Sequence, residues 1–205
     1  MRVIHIIRSL HRAGAEKLCV DICTSLNQRN DIEVLLISMS NVNHFEELTS
    51  SIPIKIINSK VFPSILKKSI VDIEEFIAVV NEFKPDIIHS HLFWSELLSR
   101  HQVFSGIKYV THCHDKMVEL NRFSCKVFYS KSHLTRYYER RWILQKYKKC
   151  KNNFLVISKD VSSYFSKILP KTYGKNITLL PNAIDYQKYK RPKNHEKPNN
   201  ENLRL

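Results

Sequence analysis

The segment Thr111-His112-Cys113-His114-Asp115 puts two imidazoles, a thiol and a carboxylate within five residues, at the end of an apolar run. Near neutral pH an imidazole can donate a hydrogen bond to a hydroxyl or phosphate, or exchange a proton with it. The same residues also invite a metal reading. Alternate residues of an extended segment point to opposite sides, so His112 and Cys113 do not easily converge on one ion, and no metal is expected. A second candidate is Ser90-His91-Leu92, which follows the run Pro85–His89. A histidine at a strand end can instead satisfy a loop carbonyl, and for His89 the two readings weigh equally. The third is Arg12-Ala13-Gly14-Ala15-Glu16, between the apolar run Val3–Ile7 and a helical pattern. A small-residue turn there offers a phosphate the N-terminus of a helix. A lone glycine also suits any tight turn. The dinucleotide fingerprint GxGxxG is absent, which argues against a nicotinamide enzyme.

These candidates need a scaffold that brings strand ends to one rim. Strand-like runs occur at Val3–Ile7, Ile32–Ser38, Ile54–Ile57, Asp86–His89, Ile107–Thr111, Phe154–Ile157 and Ile177–Leu180. They are rich in Val, Ile and Leu without strict alternation, as expected of parallel strands buried on both faces. Helical patterns separate most of them. Ala15, Leu18, Cys19, Ile22, Cys23 and Leu26 recur at helical spacing. Ser69 and Asp72 read as a capping box for a helix to Phe83, with Ile70, Ile73, Ile77, Val80 and Phe83 inward. Ser158 reads as the N-cap of a helix through Leu169. Strand alternating with helix implies an α/β fold, a single Rossmann-like doubly wound parallel sheet, with ligands outside the carboxyl ends of its strands.

The opening strand, glycine turn and helix, the run Pro85-Asp86-Ile87-Ile88-His89-Ser90-His91-Leu92 and the segment Pro181-Asn182-Ala183-Ile184-Asp185 occur in that order. Together they closely resemble the N-terminal domain of family 4 retaining glycosyltransferases. Those enzymes face two Rossmann-like domains across a cleft, the arrangement called GT-B. The resemblance implies an acceptor-side domain over residues 1–185 and a polar linker over 186–205. It also implies that a second α/β domain, carrying most of the nucleotide-sugar site, lies outside these 205 residues. Residue by residue, it implies that His114 beside Asp115 lines the cleft as the catalytic candidate, with His112 as the alternative register. His91 becomes a cleft-wall candidate, and Gly14 a point of close backbone approach. Ala13 stands where the family usually has a second glycine. Asn182 is a contact candidate near the hinge, where Ala183 replaces the family's glycine. Glu74 and Glu82 have the spacing of the family's donor-site glutamates, which belong to the second domain. Here they fall on the polar side of a helix, and coincidence explains them.

The composition suits a water-soluble chain, and no apolar run approaches the ~20 residues that span a bilayer. The short run Val3–Ile7, followed by Arg8, His11 and Arg12, does not read as a signal peptide. The cysteines at 19, 23, 113, 125 and 150 form no CxxC pair, which fits a reducing cytoplasm. The net charge is +14, and between Arg122 and Lys151 ten Lys or Arg residues face one acid, Glu139. Tyrosines and Trp142 lie among them. Arg136, Arg140, Arg141, Trp142 and Lys148 are therefore candidates for an anionic membrane surface, at the inner face of a membrane. A solvated helix is the plain alternative. Nucleic acid is not expected, because no nucleic-acid motif accompanies the charge.

The resemblance thus implies a chain that helps transfer a hexosyl unit from a nucleotide-diphosphate sugar to a glycan or lipid-linked acceptor, with no cofactor. The alternative is a non-catalytic remnant, or a sugar- or membrane-binding module that works with a separately encoded donor-binding domain.

Overall fold

The computed structural model describes residues 1–64, 68–121 and 130–183. The chain runs β1 (Arg2–Ile7), α1 (Gly14–Asn27), β2 (Glu33–Ser38), α2 (Glu46–Thr49), β3 (Ile54–Ile56), β4 (Lys60–Phe62) and β5 (Ile70–Asp72). It continues α3 (Glu74–Phe83), β6 (Ile87–His91), α4 (Phe93–Ser99), β7 (Lys108–Cys113), α5 (Lys131–Cys150), β8 (Asn153–Val156), α6 (Lys159–Ile168) and β9 (Ile177–Leu179). Short 3₁₀ turns cover Val118–Leu120 and Lys171–Asn176. The reading of 186–205 as a polar linker lies outside the described residues, as do Ile184 and Asp185 of the Pro181 segment.

Seven strands form one parallel sheet in the order β3-β2-β1-β6-β7-β8-β9. From β1 the chain winds outward through β2 and β3, then crosses back to β6 and winds the other way. The β1/β6 boundary is the point where strand order reverses, the usual ligand position in such sheets. All seven strands expected from the sequence are present. Two of them run further than expected, β6 to His91 and β7 to Cys113, so His91 and His112 are strand residues rather than loop residues.

The sheet separates two apolar clusters. One face of β1 and β2 packs Ile7, Val34 and Leu36 against Cys19, Val20 and Cys23 of α1. The opposite face packs Ile4, Ile6, Ile37 and Ile88 with Phe76 of α3, Leu97 of α4, Ile143 of α5 and Phe165 of α6. Ser158 caps α6 as expected, its Oγ accepting from the Val161 N–H at 3.2 Å.

The helix expected from Ser69 is a correction. Ile70–Asp72 instead forms β5, antiparallel to β4, and α3 begins only at Glu74. Residues Ile70 and Val71 are branched at Cβ, which suits a strand better than a first helical turn. Ser69 hydrogen-bonds back to Ser64. The capping role passes to a distant residue: Ser59 Oγ accepts from the Phe76 N–H at 3.2 Å. Glu75 meanwhile accepts from the Asn58 N–H at 2.7 Å. Phe76, Val79 and Val80 are the buried residues of this helix, while Ile70 is exposed. Glu74 and Glu82 are both exposed.

Candidate active site

Five histidines converge where the strand order reverses. His5 and His89 are register partners on β1 and β6, and His91 and His112 are partners on β6 and β7. Residues two apart on a strand share a face, so His89 and His91 lie with His112 and His114 on the α1 side of the sheet. The rings pack closely: His112 stacks on His114 with centroids 4.4 Å apart, and His89 on His91 at 4.6 Å. His91 bridges two neighbours, with Nε2 3.0 Å from His5 Nδ1 and Nδ1 2.9 Å from His114 Nε2. His5, His89, His91 and His112 are buried, while His114 sits half-buried at the rim beside exposed Asp115.

Burial dominates the electrostatics. It lowers His5 to about 3, with His112 adding repulsion, and His112 to about 4. It also lowers His114 to about 3, again with His112 contributing, and pushes His89 and His91 well below the ordinary range. All five are thus neutral imidazoles at pH 7. A neutral ring has one donor and one acceptor, which is what the chain His5–His91–His114 requires. The packing leaves several nitrogens unmatched: His5 Nε2, His89 Nε2 and both ring nitrogens of His112 have no hydrogen-bond partner. His89 Nε2 therefore satisfies no loop carbonyl.

The opposite face of the same strands carries a charge. Arg100, completely buried, donates from Nε to Asn152 Oδ1 at 2.9 Å. Its Nη1 donates to Ser90 Oγ at 2.6 Å and Ser99 Oγ at 2.8 Å, and its Nη2 to Thr111 Oγ1 at 3.1 Å. Ser90 lies between His89 and His91, and Thr111 precedes His112, so one guanidinium ties together the strands that present the histidines. The rings of Tyr109 and Tyr147 flank it. Tyr147 donates its hydroxyl to Glu96, whose carboxyl burial pushes up to about 7 against the pull of Arg100 and Tyr147.

The rim itself is open. Gly14 begins α1, and a Cβ built there meets nothing within 4 Å. Ala13, in the N-cap position, makes no side-chain cap for the N–H groups of the first turn. A cavity of about 670 Å³ lies at the strand ends, lined by Arg8, Ser9, Met39, Asn58, Leu92 and Trp94 among others. That size is typical of small-molecule sites. The Arg8 guanidinium lies 5.4 Å from the Trp94 ring centre, and Phe62 meets the same ring edge-on. Leu92 takes φ 66° and ψ 157°, a conformation that suits glycine and costs about 1–3 kcal/mol. That strained residue turns the chain from His91 into α4 and towards Trp94. A second cavity of about 700 Å³ lies around α2, lined by Arg12, His44 and Glu46 among others. Only the first reaches the point of strand reversal.

The sequence-based candidates thus divide. His91, His112 and His114 come together, and Gly14 lies on the same edge of the sheet, as does exposed Asn182 after β9. Cys113 lies on the opposite face of β7 from His112, whereas His112 and His114, the two histidines flanking it, share a face. His5 was missed, although a histidine inside Val3-Ile4-His5-Ile6-Ile7 is a polar break in a buried strand. Arg8 and Arg100 carry no such signal. The membrane candidates divide too. Arg140 donates to the carbonyls of Leu120 and Ile168, each at 2.9 Å, and so pins α5 to its neighbours. Trp142 is half-buried, stacked on His101 with Lys146 beside it. Arg136, Arg141 and Lys148 are exposed on α5. Residues 122–129 of the basic segment lie outside the described residues.

A seven-stranded parallel sheet with its open rim at the point of strand reversal defines a Rossmann-like half of a GT-B architecture. The Glycosyltransferase Family 4 model matches residues 12–188, and the chain belongs to that family. Among solved structures it is similar to HepE from Anabaena, solved in complex with UDP and glucose, with 17% identity and a TM-score of 0.64 over 94% of this chain and 47% of that one. It is similar to a glycosyltransferase from Rickettsia africae, with 15% identity and a TM-score of 0.59 over 92% and 44%. Sucrose-phosphate synthase from Thermosynechococcus elongatus gives 13% identity and a TM-score of 0.59 over 91% and 49%. The chain therefore spans about half the length of these structures. No curated protein sequence matches it. Among the described residues, no helix is long and apolar enough to cross a membrane.

Proposed function

We propose that residues 1–185 form the acceptor-side domain of a retaining glycosyltransferase that moves a hexosyl unit from a nucleotide-diphosphate sugar to a glycan or lipid-linked acceptor. The observation that carries this reading is the cavity at the point of strand reversal, which Glu16 of the first turn of α1 lines on one side and Leu92, directly after His91, on another. In this reading Gly14 and Ala13 give the donor diphosphate backbone N–H groups, and Asn182 adds a contact near the hinge. His114 and Asp115 hold the acceptor or the transferred sugar, with His91 and His112 behind them. Such catalysis is positioning and electrostatic stabilisation, which preorganised N–H groups can supply. Because the chain spans about half of the structures it resembles, transfer in this reading needs a second, donor-binding domain. A non-catalytic sugar-binding module remains the competing assignment, and sequence downstream encoding such a domain would favour the enzyme.

Trp94 offers a direct test. The chain has two tryptophans, so Trp142→Phe leaves Trp94 as the only indole reporter. Titration with a panel of short glycans and a polyprenyl phosphate should shift or quench its fluorescence, and Arg8→Ala should weaken that response. An unchanged signal across the whole panel sinks the proposal that this cavity takes the acceptor.

A lipid-linked acceptor would bring the exposed basic stripe of α5 near a membrane. Each Lys or Arg at an anionic surface contributes about 1 kcal/mol, screened by salt. The chain should sediment with anionic but not neutral vesicles at low salt, and Arg136, Arg141 and Lys148 changed together to Glu should abolish this. Equal sedimentation with both vesicle types, or with neither, leaves α5 an ordinary solvated helix.

A further inference from the structure

We infer that His91, His112 and His114 form a binding site for one divalent transition-metal ion of the zinc class, with His5 as the residue that orients His91. One ligand atom from each of the three lies within 4.8 Å of the others. The nitrogen pair already in contact, His91 Nδ1 and His114 Nε2, is 2.9 Å apart. Two ligands of a tetrahedral zinc ion, each about 2.0–2.1 Å from it, stand roughly 3.3 Å apart. That pair needs a shift of only a few tenths of an ångström to hold an ion in place of its hydrogen bond. His112, whose ring lies nearly parallel to that of His114, must also turn to aim a nitrogen at the same point.

A second observation points the same way. His112 is 2% exposed, yet neither of its ring nitrogens has a partner. A buried polar group without a partner costs about 1–3 kcal/mol, and coordination would satisfy one of these nitrogens. His5 completes the arrangement, because His91 keeps its other nitrogen 3.0 Å from His5 Nδ1. Metal-bound histidines commonly donate their second N–H to such a partner, which fixes the ring.

Three neutral imidazoles and no carboxylate select among ions. Nitrogen ligands favour zinc, cobalt, nickel and copper over magnesium and manganese. With three protein ligands the ion keeps an open position, and half-buried His114 places that position on the solvent side of the cluster. An oxygen anion suits it, because the cluster brings no negative charge of its own. His5 with Cys19 and Cys23 is a rival trio, sealed under α1 with all three side chains buried. This inference is independent of the transfer reading and needs no sugar substrate to test.

Co²⁺ titrated into the tag-free chain should give the visible ligand-field band of a tetrahedral site, saturating at one ion per chain. Zn²⁺ should displace it stoichiometrically, and excess Mg²⁺ should not. His112→Ala and His114→Ala should each weaken binding at least about 100-fold. His5→Phe should weaken it about 10- to 100-fold, the usual cost of losing an orienting partner. His44→Ala, outside the cluster, should bind as the unaltered chain does. Circular dichroism shows which variants fold. If His112→Ala does not, the rim variant His114→Ala and the unaltered chain decide the matter. Absence of a tetrahedral band in the unaltered chain overturns the proposal, as does unchanged binding by folded His114→Ala. A thiolate-to-cobalt charge-transfer band would place the ion at Cys19 and Cys23 and overturn it equally.

Discussion

Replacing Arg100 with Met is expected to cost about 3–5 kcal/mol of stability, the usual range when one member of a buried charged network is removed. For a chain of this size that corresponds to a fall in Tm of roughly 10 °C. Methionine roughly fills the volume and keeps the apolar stem, so the loss reports on the guanidinium rather than on a cavity. Four acceptors, on Ser90, Ser99, Thr111 and Asn152, lose their donor at once. Glu96 loses the cation that favours its charged form. Urea unfolding followed by circular dichroism measures the change. A loss below about 1 kcal/mol would mean that the hydroxyls and the amide re-pair among themselves, and that the guanidinium does not hold β6 to β7.

The same network gives the fold a pH dependence. The folded carboxyl of Glu96 is pushed up from 4.5 to about 7, mainly by burial. A raised value means that the folded state holds its proton more tightly than the unfolded chain. The resulting stabilisation is complete below about pH 4.5 and is lost as the pH rises through about 7. Glu96→Gln keeps an acceptor for Tyr147 and should flatten that decline. Some slope should persist, because burial and Glu119 push Glu139 up to about 7 as well. The five histidines held neutral by burial add the opposite trend, losing stability as the pH falls below about 6.5, so the test is the difference between Glu96→Gln and the unaltered chain at each pH.

The strands were legible because burial on both faces leaves its mark residue by residue, as in Ile4, Ile6 and Ile37. The antiparallel pair β4–β5 was not. A capping pattern at Ser69 and Asp72 is local, whereas the choice between strand and helix was made by pairing with Lys60–Phe62 and by Ser59 capping α3 from a distance. The candidate site shows the same division. Each histidine at 89, 91, 112 and 114 could be seen as a strand-end residue. Their meeting depends on β6 lying between β1 and β7, which no local spacing encodes. Arg100 was illegible for a related reason. An arginine after an apolar helix usually points to water, and only the contacts with Ser90, Thr111 and Asn152 turn it inward.

His114→Ala is expected to reduce sugar transfer about 10²-fold or more once a donor-binding domain is joined to the chain by fusion or co-expression, while leaving its folding intact. The size is the usual one for losing a positioned hydrogen-bonding or proton-transfer group. Of the two histidines after Thr111, His112 is enclosed by its neighbours and His114 is the one that reaches the rim. Its Nε2 is held by His91, which leaves Nδ1 as the ring nitrogen not engaged in that contact. Because burial keeps the ring neutral at pH 7, its role in the proposed reaction is to direct an acceptor hydroxyl or a sugar oxygen, not to bring a positive charge to the leaving phosphate. His114→Gln, which preserves a hydrogen-bonding group, should therefore recover part of the lost rate, whereas His114→Phe should not. A positioning role predicts that the loss falls on kcat at saturating acceptor as well as on KM. Circular dichroism of His114→Ala should overlay that of the unaltered chain, because the residue sits half-buried at the rim rather than in the interior of the sheet. Full transfer by His114→Ala, with loss in folded His112→Ala, would move the catalytic assignment one register back along β7.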